Sequence, residues 1–294
     1  MYLPFQYYDP NTLQEFFDIV QKFPCKIFAG GTDLLVKMRN GWQTYPHIID
    51  IKKIKDAPQL YEIRPTTDGT YIGALVNFTT LKNSQHILEK YTALQQAASV
   101  MGCYEIRNRA TIGGNICNAS SGSESGSPLL IFNAQVHILS PNGERTLPLD
   151  QFYGLIPQDN GKTKPGVHLQ PYEILTHIFL PALPDKAQSI YLRRARTQGM
   201  DLASLNLAMV HYKTDNTHHF RIAGGAVSPL PTRFPEIEAK LQQSTLQPHE
   251  IEQIKQNLQN TINPRPGSKR ATVQYKKDQI GELFQTALTT FNIT

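Results

Sequence analysis

Two pairs of glycines stand in sequence contexts that suit a backbone-lined binding site for a phosphate group. The first pair, Gly30 and Gly31, lies between a short β-prone run at Lys26–Phe28 and the apolar beginning of a helix at Asp33–Met38. Because glycine has no Cβ, the backbone there can approach a ligand closely, and successive N–H groups before a helix can converge on an anion. The second pair, within Thr111–Asn115, is flanked by hydroxyl and amide groups that can donate hydrogen bonds to phosphate or polyol oxygens.

A single glycine pair is more often the mark of a tight turn than of a ligand site. A third pair, Gly224 and Gly225, lies inside a predicted strand and shows that the dipeptide also arises without a ligand. Two loops with hydroxyl neighbours nevertheless fit a pyrophosphate better than two unrelated turns. On this interpretation, a side chain introduced at Gly30 or Gly114 would occupy space that the ligand needs.

The other nucleotide and catalytic motifs are absent from the sequence. No G-x-G-x-x-G occurs, so a Rossmann dinucleotide site is not indicated. Gly161-Lys162-Thr163 resembles the end of a P-loop, but Ile156 stands where the first glycine is required. There is also no G-x-S-x-G elbow and no H-E-x-x-H motif. We therefore predict no catalytic side-chain constellation in this chain.

Cysteine and histidine are too scattered to indicate a metal centre. The three cysteines, Cys25, Cys103 and Cys117, are far apart in the sequence. Their number rules out a disulfide framework and any zinc site or iron–sulfur cluster held by four cysteines of this chain alone. His218 and His219 are adjacent in a predicted turn, where solvated side chains are expected rather than ligands. We predict no metal site.

The composition is that of a globular protein of about two domains. The 294 residues include 40% apolar residues and carry a net charge of +5. The basic residues lie in small groups without the basic–aromatic pattern of an RNA-binding motif, so they suit an anionic ligand or acidic partner and no nucleic acid is expected. No apolar run approaches the ~20 residues of a membrane span, and the N-terminal sequence lacks the features of a secretory signal. We expect a cytoplasmic protein without a membrane anchor.

The pattern of apolar residues predicts an α+β protein with two domains. The first domain, residues 1–180, divides into a βαβ-like lobe at about 1–55 and an α+β lobe at about 56–180. The second, residues 181–294, is expected to be an antiparallel sheet with helices on one side. A glycine- and serine-rich stretch, Thr111–Ser127, carries no strand or helix of ordinary length, and such loops usually have a function.

Five segments of the chain, taken in order, carry a family resemblance: AGGTDLL (29–35), IGALVNFTTL (72–81), RNRATIGGNICNAS (107–120), RRARTQGMDLASLNLA (193–208) and FRIAGGAVSPLPTR (220–233). They resemble the FAD-binding (medium) subunit of the xanthine dehydrogenase and carbon monoxide dehydrogenase family of molybdenum hydroxylases. The two glycine segments, similar to the first and second flavin loops of that family, are its most specific part. The resemblance implies a two-lobed FAD-binding domain of the PCMH type, followed by a smaller C-terminal flavoprotein domain.

The resemblance also implies a set of FAD-binding positions. An acidic position of the family, usually Asp, corresponds to Glu124, a hydrophobic one corresponds to Leu175, and a basic one, often Lys, corresponds to Arg193. Glu124 is one methylene longer than the usual Asp, and Arg193 presents a planar fork in place of an ammonium. The positions implied by the two flavin loops are Lys26, Ile27, Phe28, Ala29, Gly30, Gly31, Thr32, Asp33, Thr111, Ile112, Gly113, Gly114 and Asn115.

An electron-transfer role within a complex follows from the same resemblance. In the family, a large molybdopterin-binding subunit oxidises the substrate and a small subunit carries two [2Fe–2S] clusters. The FAD subunit passes the electrons to NAD+ or another acceptor. A dimer of heterotrimers is implied by the resemblance alone. Xanthine, an aldehyde, nicotinate and other heterocycles are all compatible substrates of such a complex, and the GGNICN loop is most similar to bacterial xanthine dehydrogenase subunits.

The alternative is a self-sufficient FAD-dependent oxidase or reductase of the wider PCMH-type superfamily. Such an enzyme has its own substrate pocket, and some members tether the flavin through His or Cys. Turnover of an organic substrate by the isolated chain would favour this alternative. The C-terminal segments favour the molybdenum hydroxylase subunit instead.

Overall fold

The computed structural model describes residues 4–197, 199–215, 217–242, 247–265, 268 and 270–293. Its first lobe is a three-stranded parallel sheet of order β1-β3-β2 with two helices. The elements are β1 (Gln6–Tyr8), α1 (Leu13–Lys22), β2 (Lys26–Phe28), α2 (Leu34–Arg39) and β3 (His47–Asp50). The strand predicted at Lys26–Phe28 and the helix after it are confirmed, and the first glycine pair joins them.

The second lobe is built on a five-stranded antiparallel sheet of order β4-β5-β10-β6-β7. Several of its short helices begin at a side-chain cap, such as Asn77, whose Oδ1 accepts from the Thr80 N–H at 2.8 Å. The elements, after a 3₁₀ turn at Pro58–Leu60, are β4 (Ile63–Pro65), β5 (Gly69–Gly73), α3 (Phe78–Asn83), α4 (Gln85–Lys90), α5 (Thr92–Val100), α6 (Tyr104–Arg109), α7 (Ile112–Cys117), α8 (Gly126–Ile131), β6 (Gln135–Ser140), β7 (Gly143–Pro148), α9 (Leu149–Phe152), β8 (Tyr153–Pro157), β9 (Thr163–Val167) and β10 (Ile174–Pro181).

The C-terminal part is a four-stranded antiparallel sheet of order β11-β12-β13-β14 with three helices. Its elements are β11 (Gln188–Arg194), β12 (Leu205–Thr214), β13 (Thr217–Gly225), β14 (Thr232–Arg233), α10 (Pro235–Leu241), α11 (Pro248–Thr261) and α12 (Val273–Thr290). The predicted fold class, α+β with a C-terminal antiparallel sheet packed by helices, is confirmed. Within the described ranges, no helix has the length and apolarity needed to cross a membrane.

Both faces of the C-terminal sheet are buried, which explains the nearly continuous apolar run of β12. Leu207 and Met209 point into a core shared with α10, α11 and α12. Ala208 and Val210, on the opposite face, belong to the large core of the first domain. Because successive residues of a strand face opposite sides, one strand contributes to both cores and fixes the two domains against each other.

The stretch Thr111–Ser127, predicted to carry no strand or helix of ordinary length, contains the six-residue α7 and the first two residues of α8. The second glycine pair, predicted to lie in a loop, lies instead in the first turns of α7. The Thr111 hydroxyl caps this helix by accepting from the Gly114 N–H at 3.1 Å. Glycine disfavours an isolated helix, but here tertiary packing outweighs the propensity, because Gly113 lies against Ala74 with no room for a side chain between them.

A second correction concerns His218 and His219, which were predicted to lie in a turn. Both belong to β13. The His218 ring is stacked on His211 of β12, and His211 Nε2 lies 2.9 Å from His218 Nδ1. His218 is thus paired with an imidazole of the adjacent strand β12, whereas His219 is stacked on Tyr212 of that same strand β12. No group of three or more His, Cys, Asp or Glu side chains suited to a metal occurs among the described residues.

The packing of α7 on Ala74 predicts a position-specific effect of added methyl groups. A Cβ at Gly113 would lie 2.7 Å from both the oxygen and the Cβ of Ala74. We expect Gly113→Ala to lower the free energy of unfolding by about 1–3 kcal/mol through overpacking. Gly122→Ala is the matched control, because its Cβ would meet nothing nearer than the Ala203 oxygen at 3.5 Å. Thermal unfolding of the apo chain checks this, and equal midpoints for the two variants would contradict it.

An ion pair at the beginning of β10 predicts a pH-dependent contribution to stability. Arg145 Nε and Nη2 donate to the two oxygens of the buried Glu173 at 2.8 and 2.7 Å. These hydrogen bonds lower the pKa of Glu173, so its stabilising effect is present above the ordinary pKa of a glutamate and is lost as the pH falls through the lowered value. We expect Glu173→Gln to cost about 1 kcal/mol at pH 7, and less in acid.

Thermal midpoints at pH 7 and pH 4 measure this difference. Glu144→Gln, at an exposed position of β7, provides the control for general charge effects. A Glu173→Gln midpoint shift of the same size at both pH values would show that the carboxylate charge is not responsible.

Candidate functional site

The loop between β2 and α2 presents a row of unused hydrogen-bond donors. Within the described part of the chain, the five backbone N–H groups of Ala29–Asp33 donate no hydrogen bond. Gly31 has a φ of +74°, a left-handed conformation that glycine adopts without strain. Successive free amides before a helix form a concave anion-binding surface, so the loop is built to accept a group rich in negatively charged oxygens.

Cationic and anionic side chains both lie beside this loop, where Lys37 is ion-paired with Asp33 and Lys52 with Asp50. Lys52 Nζ donates to the Ala29 oxygen at 2.9 Å and lies 3.9 Å from the centre of the Phe28 ring. Desolvation lowers the pKa of Lys52, and for Lys26 desolvation does so with help from the nearby charges of Lys37 and Lys164. Lys26 is repelled by Lys37 and Lys164 and has no ion-pair partner among the described residues, so it is the cation that favours the arrival of an anion beside the free amides.

The second glycine segment offers no comparable row of donors, in contrast to the expectation from its sequence. The N–H groups of Ile112 and Gly113 donate to the Val76 and Ala74 oxygens at 2.9 and 3.0 Å. The N–H groups of Gly114 and Asn115 both donate to Thr111, at 3.1 and 2.9 Å. This segment therefore contributes shape and the Asn115 side-chain amide rather than a nest of backbone donors.

The glycines at positions 30 and 114 have different surroundings. A Cβ on Gly30 would collide with the backbone oxygen of Arg109, and one on Gly114 would lie 2.9 Å from the Thr111 hydroxyl. At position 30 the added side chain would therefore enter the protein itself and not ligand space, whereas at position 114 only the Thr111 hydroxyl is in the way and the prediction stays a prediction. Glycine at position 30 lets the first loop lie directly on the backbone before α7.

A short segment after α7 connects this region to the C-terminal domain. Asn118 Oδ1 accepts from Lys37 Nζ of α2 at 2.7 Å. The N–H groups of Ser120–Gly122 donate no hydrogen bond within the described residues, and the Ser121 oxygen accepts from the Ala226 N–H at 2.6 Å. The region from the first loop to the C-terminal sheet is thus continuous, as an extended dinucleotide requires.

Glu124, predicted to lie on a polar loop, is buried between the domains with 4% of its surface exposed. Its carboxylate accepts from the Tyr191 hydroxyl and from Arg193 Nη1, the latter at 2.9 Å. Burial raises the pKa of Glu124, while Tyr191, Arg193 and the Ala203 amide act to lower it. The structure therefore brings Glu124 and Arg193 together, and it adds Tyr191.

Tyr191 was missed by the sequence analysis, although strand periodicity contains the signal. It lies two residues before Arg193 in β11, so the two side chains share one face of the sheet. Arg194 points to the other face, where its Nε donates to Gln279 of α12 at 2.7 Å. The adjacent arginines thus have separate partners, one toward the candidate site and one toward the helices.

Leu175 is buried in the core of the first domain, on β10, where it pairs with Ile138. Its side chain offers only apolar surface. A cavity of about 370 Å³ lies between α5 and β11, with Gln96, Tyr191 and Arg193 in its lining. This cavity therefore lies beside Tyr191 and Arg193, and none of the residues Ala29–Asp33 lines it.

Two family models together account for nearly all of the chain. Residues 3–183 match the FAD-binding domain in molybdopterin dehydrogenase, and residues 190–291 match the CO dehydrogenase flavoprotein C-terminal domain. The solved carbon monoxide dehydrogenase from Hydrogenophaga pseudoflava that lacks the Mo-pyranopterin moiety aligns with a TM-score of 0.89 at 26% identity. That alignment covers 98% of this chain and 97% of the other.

Curated relatives agree with this match. A putative xanthine dehydrogenase FAD-binding subunit of Escherichia coli (strain K12) is 32% identical, over 92% of this chain and 90% of its own length. The nicotinate dehydrogenase FAD-subunit of Eubacterium barkeri is 29% identical, over 96% and 94% respectively. The chain therefore belongs to the family of FAD-binding subunits of molybdenum hydroxylases that includes those of xanthine dehydrogenase and carbon monoxide dehydrogenase, and its cofactor is FAD.

Proposed function

We propose that the five free amides of Ala29–Asp33 hold the pyrophosphate of FAD. The observation that carries this proposal is the row of N–H groups without an acceptor, placed among lysines at the beginning of α2. A diphosphate supplies the oxygens that these donors lack, and the charge of Lys26 offsets part of its negative charge. Ile27 and Phe28 precede the amides in β2 and fix where the loop leaves the sheet.

The remaining predicted positions surround the rest of the cofactor in this proposal. Thr111, Ile112, Gly113 and Gly114 form the beginning of α7 and determine how closely this helix approaches. The Asn115 side chain is oriented by Ser125, whose hydroxyl donates to Asn115 Oδ1 at 2.6 Å, so its NH₂ group faces away from that contact. Arg193 closes the site from the C-terminal domain and Glu124 closes it from the first domain, with Leu175 as an apolar support from β10.

We further propose that this subunit carries electrons between partner proteins. When bound, FAD supplies a carrier that accepts electrons singly and delivers them in pairs to NAD+ or another acceptor. The chain binds and orients FAD and shields it from water, while a [2Fe–2S] subunit and a molybdopterin-binding large subunit provide the preceding steps, in a dimer of heterotrimers. The relatives support this proposal, since they are named as FAD subunits and medium chains of dehydrogenases.

Hydrogen exchange tests the assignment of the amides directly. In the apo chain, the N–H groups of Ala29–Asp33 should exchange quickly, and FAD should protect them. The N–H groups of Ile112–Asn115 already donate within the protein and should change little. Mass spectrometry of peptic fragments, with and without saturating FAD, measures both segments.

Riboflavin, which has no pyrophosphate, is the control ligand and should leave Ala29–Asp33 unprotected. Unchanged exchange at Ala29–Asp33 in a chain that demonstrably holds FAD would remove the loop from the assignment. A colourless protein that takes up no FAD on reconstitution would overturn the proposed site altogether.

Purification from the native host tests the electron-transfer role. A tagged chain should copurify with one iron–sulfur polypeptide and one large molybdopterin-binding polypeptide, and substrate added to this complex should bleach the flavin absorbance. The isolated, FAD-loaded chain should not turn over an organic substrate. Substrate turnover by the isolated chain would instead support the self-sufficient oxidase alternative.

A further inference from the structure

The carboxylate of Glu124 is fully engaged by this chain. Oε2 accepts from the Tyr191 hydroxyl, and Oε1 accepts from Arg193 Nη1 at 2.9 Å. Only 5% of the Glu124 side chain is exposed, against 13% for the Arg193 side chain. An acid enclosed in this way has little surface left for a ligand, although its position in the sequence suggests a ligand contact.

Arg193, in contrast, has donors to spare. Its Nη1 is shared between Glu124 and the backbone oxygen of Asp201, the latter at 3.2 Å. Its Nε and Nη2 groups donate no hydrogen bond to any described residue. Neither nitrogen is fully enclosed by the protein, so both can be reached from outside. Because the guanidinium is planar and rigid, fixing Nη1 on two acceptors also fixes the directions of the three remaining N–H groups.

The Asp201 oxygen is itself held in place by a closed loop. Arg196 Nη2 and Nε donate to the two carboxylate oxygens of Asp201 at 2.9 and 3.0 Å, which ties the two ends of residues 196–201 together. Tyr191, on the same strand face as Arg193, fixes the other oxygen of Glu124. The acceptors that aim the guanidinium are therefore anchored independently of any ligand.

We propose that Glu124 is a positioning residue, fastened by Tyr191, that aims the free Nε and Nη2 donors of Arg193 at FAD rather than binding FAD itself. This inference rests on the proposed function. A planar fork that is held at one edge presents its other edge in a defined direction, as recognition of the flat, oxygen-bearing parts of FAD requires. The longer glutamate and the arginine thus act as a matched pair.

A double-mutant cycle on FAD affinity tests the proposal. The apo chain is titrated with FAD, and the dissociation constants of Glu124→Gln, Arg193→Ala and the double variant are compared with that of the parent. We expect each single variant to weaken binding about tenfold, the order of one charge-assisted hydrogen bond. The double variant should bind FAD no more weakly than Arg193→Ala does. Additive losses of affinity would overturn the proposal, because a Glu124 that bound FAD directly, or that only stabilised the fold, would act even without Arg193.

A conservative variant at Arg193 separates orientation of the cation from a purely structural role of Glu124, because only orientation makes the recovery of FAD affinity depend on Glu124. Arg193→Lys should recover part of the affinity that Arg193→Ala loses, and this recovery should disappear in the Glu124→Gln background. Recovery of the same size in both backgrounds would show that Glu124 does not orient the cation. Arg194→Ala is the matched control, since it removes a hydrogen bond on the opposite sheet face and should leave FAD affinity unchanged.

Tyr191→Phe keeps the proposal testable if Glu124→Gln does not fold. It removes one donor to Glu124 and leaves every charge in place, so FAD affinity should fall by a few-fold only while Arg193 is present. Tyr172→Phe, at an exposed position, is its control. A parent chain that binds no FAD would refute the proposed function, whereas a parent that binds FAD with an additive cycle would refute only the role given to Glu124.

Discussion

The candidate site depends on one backbone-to-backbone contact, that of Gly30 with Arg109 and Ala110. No side chain separates the two segments, because a Cβ at position 30 would collide with the Arg109 oxygen. The contact brings the first loop of one lobe against the segment that leads into α7 of the other. With the loop fixed there, its free amides stand at one end of a continuous path that passes Asn118 and Ser121 and reaches the C-terminal domain.

The same dipeptide has three different physical roles in this chain. Gly30-Gly31 allows close packing and a left-handed turn, which leaves a row of amides free. Gly113 in α7 allows a helix to lie on Ala74, and its amide is used in that contact. In β13, a Cβ on Gly225 would lie 2.5 Å from the side-chain nitrogen of Asn206, so glycine makes room for a buried amide. The row of free donors is what singles out Gly30-Gly31 as the proposed ligand-binding pair.

The sequence predicted those features that depend on local periodicity. The bounds of β2 match the predicted ones, because a short β-prone run is a local pattern. Glu124 was beyond such a prediction, since a lone acid among serines is usually solvated and its burial depends on Tyr191, which is 67 residues away in the sequence. For α7 the reason is similar, as its glycines disfavour a helix until Ala74 supplies the packing surface.

Buried polar contacts, rather than apolar area alone, determine how the C-terminal domain sits on the site. The Asn206 side chain, which is fully buried, accepts from the Ser127 hydroxyl at 2.6 Å. Lys276 of α12 donates to the Ala226 oxygen at 2.7 Å, and the Ala226 N–H in turn donates to the Ser121 oxygen. A buried donor or acceptor left without its partner costs about 1–3 kcal/mol, so a displaced domain would break several such contacts at once. The position of Arg193 is therefore coupled to the helices on the far side of the sheet. Both domains together determine where the guanidinium charge of Arg193 lies relative to a cofactor in the site.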